Sequence, residues 1–422
     1  MGSVPVRRLW SLGSVLALLA VLFGVLSYVQ VAQRSDAAAN VVEHSQPLSD
    51  DAAQIFRTLA DADTTAATGF LQAGDETAAV RDEYNGDLQT ASTLLAQAAA
   101  DAGPGDPGQR ESSSSAHNCR ATPTWWASPG GRPGGLPARR AYLSYASAQM
   151  QTTMLAEAQT LYTVETGRLQ QDYGSARALP WAAIGLALVV LAALVWAQIR
   201  LFQDTNRVFN PGLLLASAAV VLALVWLTAA QSLAGSDLGQ SYARGSAPLQ
   251  VLNEAQIKAL QCRGAENLNL VARGSTDSYE TDWDTVSKQL AGPQGYLPRA
   301  AAMTSADTGA QQAVTAAEAD FSTWQQRHDT AMTANAAGNY DAAVADTIGT
   351  PGTASATTTN AAFVQLDSSL NTAISHERAN VDQLAARGRG DTAGLAAGTL
   401  ALAVLGGLAA LWGINRRAAE YR

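Results

Sequence analysis

Apolar and polar positions alternate along this chain in blocks. Four stretches are almost wholly apolar: Leu9–Val31, Pro180–Ile199, Pro211–Ala230 and Ala393–Ile414. Each reaches the ~18–20 residues that take an α-helix across a bilayer core, and none contains Asp, Glu, Lys, Arg or His. The pattern predicts four transmembrane helices. They divide the rest into residues 1–8, 32–179, 200–210, 231–392 and 415–422, of which only 32–179 and 231–392 are long enough to fold as domains.

Within those two long segments the periodicity is helical. Leu143, Ala146, Met150, Met154, Leu161 and Leu169 recur largely at three- and four-residue steps, as do Leu366, Leu370, Ile374, Val381 and Leu384, and Phe321, Trp324 and His328. Runs of alternating β-branched residues are absent. About 150 residues accommodate four helices of roughly 25–35 residues at 1.5 Å rise per residue. The expected fold is therefore an all-α membrane protein with four transmembrane helices and two extracytoplasmic antiparallel four-helix bundles. Stretches ending at Gly74 and at Gly274 can be set beside one another, each followed by a restarted helix, so a tandem duplication is expected. The plain reading of the Met, aromatic and His328 stripes is core packing.

Positive charge on the short segments sets the orientation. Arg7–Arg8, Arg200 with Arg207, and Arg416, Arg417 and Arg422 place residues 1–8 as a cytoplasmic stub, 200–210 as a cytoplasmic hairpin and 415–422 as a cytoplasmic tail. Both termini are then inside and both long segments outside. Arg387 and Arg389 oppose this only from the end of a long loop. The first span exceeds the 7–15 residue apolar core of a signal peptide and is read as a retained anchor. No kinase or cyclase domain fits in the cytoplasmic pieces, so a signal passing inward is expected to reach a separate partner.

Composition narrows the function. A net charge of −9, with lysine only at Lys258 and Lys288, argues against nucleic acid as a partner. The Arg, Ala and Gly excess is the residue usage of a GC-rich genome. Spans without ionisable groups make a permease or proton relay an unexpected reading. No nucleophile-elbow, zincin or P-loop motif occurs. Two cysteines (Cys119, Cys262) and four histidines form no metal-ligand spacing. The chain is expected not to be an enzyme and to use no cofactor or metal. Asp50–Asp51, Asp61 with Asp63, and Glu280–Asp282–Asp284 are read as caps and solvated faces. A ligand carboxylate would call for Arg side chains on a bundle face; Arg244, Arg263 and Arg273 are the candidates, beside the plain reading of surface arginines. Arg207, Asn210, Arg416 and Arg417 are candidates for a cytoplasmic partner, beside the plain reading of topology and lipid headgroup contact.

Residues 103–140 break the pattern. Gly103–Gly108, Ser112–Ser115, Trp125–Trp126 and Gly130–Gly135 have loop composition where a third helix is expected. Two readings stay open, a long insertion or a stretch translated out of frame; in the second, Cys119 is not native. A Cys119–Cys262 disulfide is not expected.

Nearly the whole chain outside 103–140 resembles the GlnX family of actinobacterial four-span membrane sensors. The resemblance rests on Arg207-Val208-Phe209-Asn210-Pro211-Gly212, on Asn267-Leu268-Asn269-Leu270-Val271-Ala272-Arg273-Gly274, and on Trp412-Gly413-Ile414-Asn415-Arg416-Arg417 with Glu420-Tyr421-Arg422, in that order on a four-span frame. It implies a signal transducer in the cell membrane. In that family an extracytoplasmic solute-binding lipoprotein, GlnH, senses glutamate and aspartate, and a cytoplasmic Ser/Thr kinase, protein kinase G, receives the signal. The alternatives are a direct small-molecule chemoreceptor and a non-switching scaffold of a permease or envelope complex. Whether the chain forms a homo-oligomer stays open.

Overall fold

A computed structural model describes residues 6–72, 78–101, 145–205, 210–273, 277–350, 355–388 and 395–419. The anomalous segment 103–140, Cys119 and Arg207 lie outside them, as does the side chain of Arg417. The described residues are helical, with no β-strand among them, and four helices are long and apolar enough to cross a membrane. The expected all-α, four-span class is observed.

The chain forms two compact units. The apolar unit comprises Met1–Val41, Gln171–Gln240 and Leu384–Arg422, and the polar unit Val42–Gln170 and Ser241–Gln383. The apolar unit holds α1 (Val6–Asn40), α5 (Trp181–Thr205), α6 (Pro211–Ser241) and α13 (Leu395–Ala419). Small residues let α1 and α13 approach closely, the usual mode of helix packing in lipid. A Cβ on Gly24 would lie 2.6 Å from Ala403 Cβ, and Gly407 sits against the Ala17 backbone. Before α5, Pro180 interrupts the helix and leaves carbonyls without helical donors. Arg34 of α1 supplies them, donating from Nε to Ala178 O at 2.6 Å and from Nη2 to Leu179 O at 3.0 Å.

The polar unit is built from α2 (Gln46–Leu71), α3 (Ala78–Asp101), α4 (Leu155–Arg177, its last turns in the apolar unit), α7 (Ala247–Ala272), α8 (Ser278–Ala291), α9 (Tyr296–Met303), α10 (Thr308–Ala336), α11 (Tyr340–Ile348) and α12 (Thr359–Gly388). The second segment follows the expected four rods with two changes, the short α11 between α10 and α12 being one. Its second rod is split into α8 and α9 at Gly292-Pro293-Gln294-Gly295. A Cβ on Gly292 would meet Lys288 O at 2.4 Å and one on Gly295 would meet Leu290 O at 2.6 Å, so the turn closes on bare backbone.

The duplication is visible in the backbone. α1 passes into α2 through a five-residue π-helix, Val41–Ser45, and α6 passes into α7 through another, Tyr242–Ser246. α2 and α7 both have 26 residues. The cause is a repeated Ser-x-Pro-Leu, Ser45-Gln46-Pro47-Leu48 and Ser246-Ala247-Pro248-Leu249. Proline has no N–H and its ring crowds the carbonyl four residues back, so the preceding turn widens. In the second copy that carbonyl belongs to Arg244, and Asn380 of α12 supplies the missing donor, Nδ2 to O at 2.6 Å.

The two copies do not keep separate interiors. One core runs through Ile55, Phe56, Leu59, Leu95, Met154 and Leu161 of the first segment and Leu252, Leu260, Leu290, Trp324, Leu366 and Leu370 of the second. Ser246 Oγ donates to Gln46 Oε1 at 2.7 Å, tying one repeat to the other. At the centre lies α7, buried on nearly every face. Cys262, on α7, is fully buried, and desolvation raises its pKa well above the ordinary thiol range. It is expected to resist a maleimide in the folded protein and to react once denaturant unfolds the polar unit. Rapid native labelling at Cys262, read by peptide mass spectrometry, would contradict this packing.

Candidate functional site

Helix α7 is buried yet carries Asn253, Gln256, Arg263, Glu266, Asn267 and Asn269. Buried polar groups stand only when paired, so their partners define what the helix holds. Asn267 donates from Nδ2 to Thr64 O at 3.4 Å and Thr68 Oγ1 at 3.2 Å on α2, and the others fall into two networks.

The distal network centres on Glu266, 0% exposed. Arg263, one turn earlier, donates from Nη1 to Glu266 Oε2 and from Nη2 to Asn360 Oδ1 at 2.8 Å. Thr359 Oγ1 lies 3.0 Å from Oε2, and Trp324 Nε1 donates to Oε1 at 3.2 Å. His328 Nδ1 lies 3.0 Å from Oε1, while its Nε2 is 3.4 Å from Glu280 Oε1. Asn269 Nδ2 donates to the other Glu280 oxygen at 2.6 Å, and Trp283 stacks on the imidazole at 3.6 Å between centroids. Trp324 and His328 share a face because they are one helical turn apart on α10.

Burial alone would lower the His328 pKa, but hydrogen bonds to Glu266 and then Glu280 outweigh it and raise it to about 9. Burial likewise pushes Glu266 up, and the His328 hydrogen bond with the Arg263 charge pulls it below its ordinary value. The hydrogen bond from His328 also lowers Glu280. Two cations thus face two carboxylates with both Glu266 oxygens engaged. The arrangement fastens α7 to α8, α10 and α12.

The second network lies nearer the π-segments, where α2 and α12 meet α7. Arg57 Nη1 donates to Asn253 Oδ1 and Gln256 Oε1, both at 2.9 Å. Gln256 Nε2 donates to Asp367 Oδ1 at 2.6 Å and Asn371 Oδ1 at 3.1 Å, and Asn371 Nδ2 to Asp367 Oδ2 at 2.8 Å. Two turns before Arg57 on α2, Asp50 Oδ2 lies 3.4 Å from Arg378 Nε. Burial, then the positive charge of Arg378, lower the Arg57 pKa to about 10, against the opposing charges of Asp50 and Asp367. Burial raises Asp50 and Asp367. The seam joins the two repeats through charge and amides as well as through the apolar core.

The structure redistributes the residues singled out in the sequence. Arg263, expected on a bundle face, is 1% exposed and its guanidinium is occupied by Glu266 and Asn360, because α7 has no free face. Arg273 caps the C-terminus of α7 in the left-handed region (φ 49°) and lies 3.9 Å over the Tyr340 ring. Arg244 is exposed in the second π-segment, where its carbonyl serves Asn380. Of the acidic residues read as caps or solvated faces, Asp61, Asp282 and Asp284 are exposed as expected, while Asp50, Asp63 and Glu280 are reassigned. Asp63 is buried mid-helix and accepts from Ser147 Oγ at 3.0 Å and Gln151 Nε2 at 3.3 Å, Asp50 faces Arg378, and Glu280 joins the His328 network.

In the apolar unit, Asn210, expected to meet a partner, is 7% exposed. It is the N-cap of α6: its Oδ1 accepts from Gly212 N and its Nδ2 donates to Gly413 O of α13, both at 3.1 Å. Arg416 remains exposed, with its guanidinium 5.8 Å from the Trp412 ring. Arg57, Arg378 and Glu266 were not singled out in the sequence. The signal that could have found them is a helix with polar residues on every side, which a solvated amphipathic helix does not show.

Residues 37–118 and 131–174 match the family model of an actinobacterial sensor domain. The match covers just under a third of the chain, includes α2 and α3, and skips residues 119–130, inside the loop-rich stretch 103–140. No curated protein matches the chain. No solved structure matches it either. The sensor-domain match supports an actinobacterial sensor protein with a role in sensing or signalling.

Proposed function

We propose that the chain is a transmembrane signal transducer with the polar unit outside the cell and both termini in the cytoplasm. It reports extracellular glutamate or aspartate from a solute-binding lipoprotein to a cytoplasmic Ser/Thr kinase, and it catalyses no reaction itself. The observation that carries this reading is helix continuity. Trp10–Leu71 and Pro211–Ala272 are unbroken helices of 62 residues, each running from a membrane-competent stretch into the segment packed in the polar unit. The sensor-domain match on the first repeat supports the same role.

In this mechanism the lipoprotein binds one of two arrangements of the polar unit more tightly than the other, which is the condition for any ligand to shift an equilibrium. Helices then move by about 1–2 Å, a displacement that packed helices support between discrete states. The short cytoplasmic segments, with Arg207, Arg416 and Arg417, present or withdraw a surface for the kinase. Lipid headgroups are the other contact of those arginines.

The test is crosslinking in cells of the tagged, full-length protein, with and without external glutamate or aspartate. Recovery of an extracytoplasmic binding protein and a cytoplasmic kinase, in yields that depend on the amino acid, is expected. Recovery of a permease alone, unaffected by the amino acid, would replace this reading with that of a non-switching accessory.

A further inference from the structure

The seam of α2, α7 and α12 has polar valences that the protein leaves open. Arg57 directs only Nη1 at its two partners, and both are neutral amide oxygens. Arg378 meets Asp50 through Nε alone, and its side chain is 43% exposed. The strongest charge acting on Arg57 is that of Arg378, although like charges repel. Asp50 Oδ1 is buried and has no hydrogen-bond partner among the described residues, although the Asp50 side chain as a whole is 15% exposed. Buried oxygens without a partner are uncommon and costly. The Glu266 network, by contrast, occupies both of its central carboxylate oxygens.

These open valences are mutually arranged. Asp50 and Arg57 are seven residues apart, two helical turns, and so share one face of α2. Asp367 and Arg378 are eleven residues apart on one face of α12. Two guanidinium groups with free N–H edges fit a carboxylate, which each can grip in bidentate fashion. An unpartnered carboxylate oxygen beside them fits an N–H or O–H donor. With two arginines and two aspartates the seam is formally neutral, so it suits a ligand whose own charge is balanced or small.

We propose that this seam binds a small α-amino or α-hydroxy carboxylate directly, its carboxylate between Arg57 and Arg378 and its adjacent donor on Asp50. Asn253, Gln256 and Asp367 hold Arg57 in place and close the floor. The exposed Arg378 is the side from which ligand enters. Because Asp50 and Arg57 belong to one repeat and Arg378 to the other, a bound molecule bridges the two copies. The proposal goes beyond relay from a binding protein, for it gives the chain a ligand of its own.

The test uses the full-length protein in nanodiscs with the isosteric probes L-alanine, L-lactate and propionate, followed by thermal shift and calorimetric titration. L-alanine or L-lactate is expected to raise the melting temperature by on the order of 5 °C at about 100-fold excess over Kd. Propionate, lacking the second donor, is expected to bind at least 10-fold more weakly. Which of the first two binds tighter distinguishes an amino from a hydroxy acid. Arg57→Gln and Arg378→Gln are each expected to weaken binding at least 10-fold. Arg378→Gln removes an exposed group, so it stays informative if the Arg57 variant fails to fold. No shift with any of the three probes, or unchanged affinity in Arg378→Gln, overturns the proposal. Either result leaves co-purification of a binding protein and kinase untouched, so the two readings fail separately.

Discussion

Replacing Glu266 with alanine is expected to lower the melting temperature of the purified protein by on the order of 10 °C, or to prevent the polar unit from folding. The substitution leaves Arg263 and His328, each 1% exposed, without their shared carboxylate. Removing one partner of a buried ion pair costs about 3–5 kcal/mol, and in a large domain each kcal/mol moves the midpoint by about 2–4 °C. Trp324 Nε1 and Thr359 Oγ1 lose an acceptor as well. Scanning calorimetry in detergent measures the change. A loss below about 1 kcal/mol would show that the network is not what fastens α7.

The same network sets a pH dependence whose sign follows from His328. Its pKa is raised from 6.5 to about 9 in the folded protein. The stabilisation from its protonated form is therefore complete below about pH 6.5 and is lost as pH rises through 9. The melting temperature should fall between pH 7 and 9.5. In His328→Gln, with no titrating ring, that part of the slope should vanish. A wild-type midpoint that stays level over this range would place His328 elsewhere.

The second large effect is expected inside the apolar unit. A Cβ on Gly212 would lie 2.3 Å from Gly413 Cα and 2.6 Å from Ala409 O, both backbone atoms that no rotamer change relieves. Gly212→Val should force α6 away from α13, break the Asn210 Nδ2 bond to Gly413 O, and cost at least about 1–3 kcal/mol as overpacking. A disulfide reports it. A Cβ built on Gly406 lies 3.3 Å from Ala219 Cβ, close to the ~3.5–4.5 Å that a disulfide needs. Ala219→Cys with Gly406→Cys, in a background lacking Cys119 and Cys262, should crosslink under mild oxidation. Adding Gly212→Val should reduce the yield several-fold. Equal yields would show that the two helices tolerate a side chain at their contact.

Much of the fold was legible in sequence because one rule governs each stretch. A helix that crosses lipid must be long and apolar, so the four membrane-competent helices stand out by composition. The duplication was legible too, but Gly74 and Gly274 were poor anchors. Ser45-Gln46-Pro47-Leu48 and Ser246-Ala247-Pro248-Leu249 are better, because a proline within helical periodicity fixes a backbone event at one residue. The site was less legible. The partners of Glu266 on other elements are Trp324, His328 and Thr359, 58, 62 and 93 positions away. Arg57 reaches Gln256 across 199 positions. No local window contains such pairs, and a buried Arg263 reads in sequence like any surface arginine. Trp324 and His328, four apart, showed only that they share a face.

The core common to both repeats also constrains how the protein is made. During synthesis, α2 and α3 emerge with Ile55, Phe56, Leu59 and Leu95 turned toward an interior whose other half, on α7, α10 and α12, has not been translated. Contacts so distant in sequence form slowly, and the apolar face must wait for them. The first repeat therefore passes through a stage in which that apolar face has no partner. That stage ends only when α7, α10 and α12 have all followed.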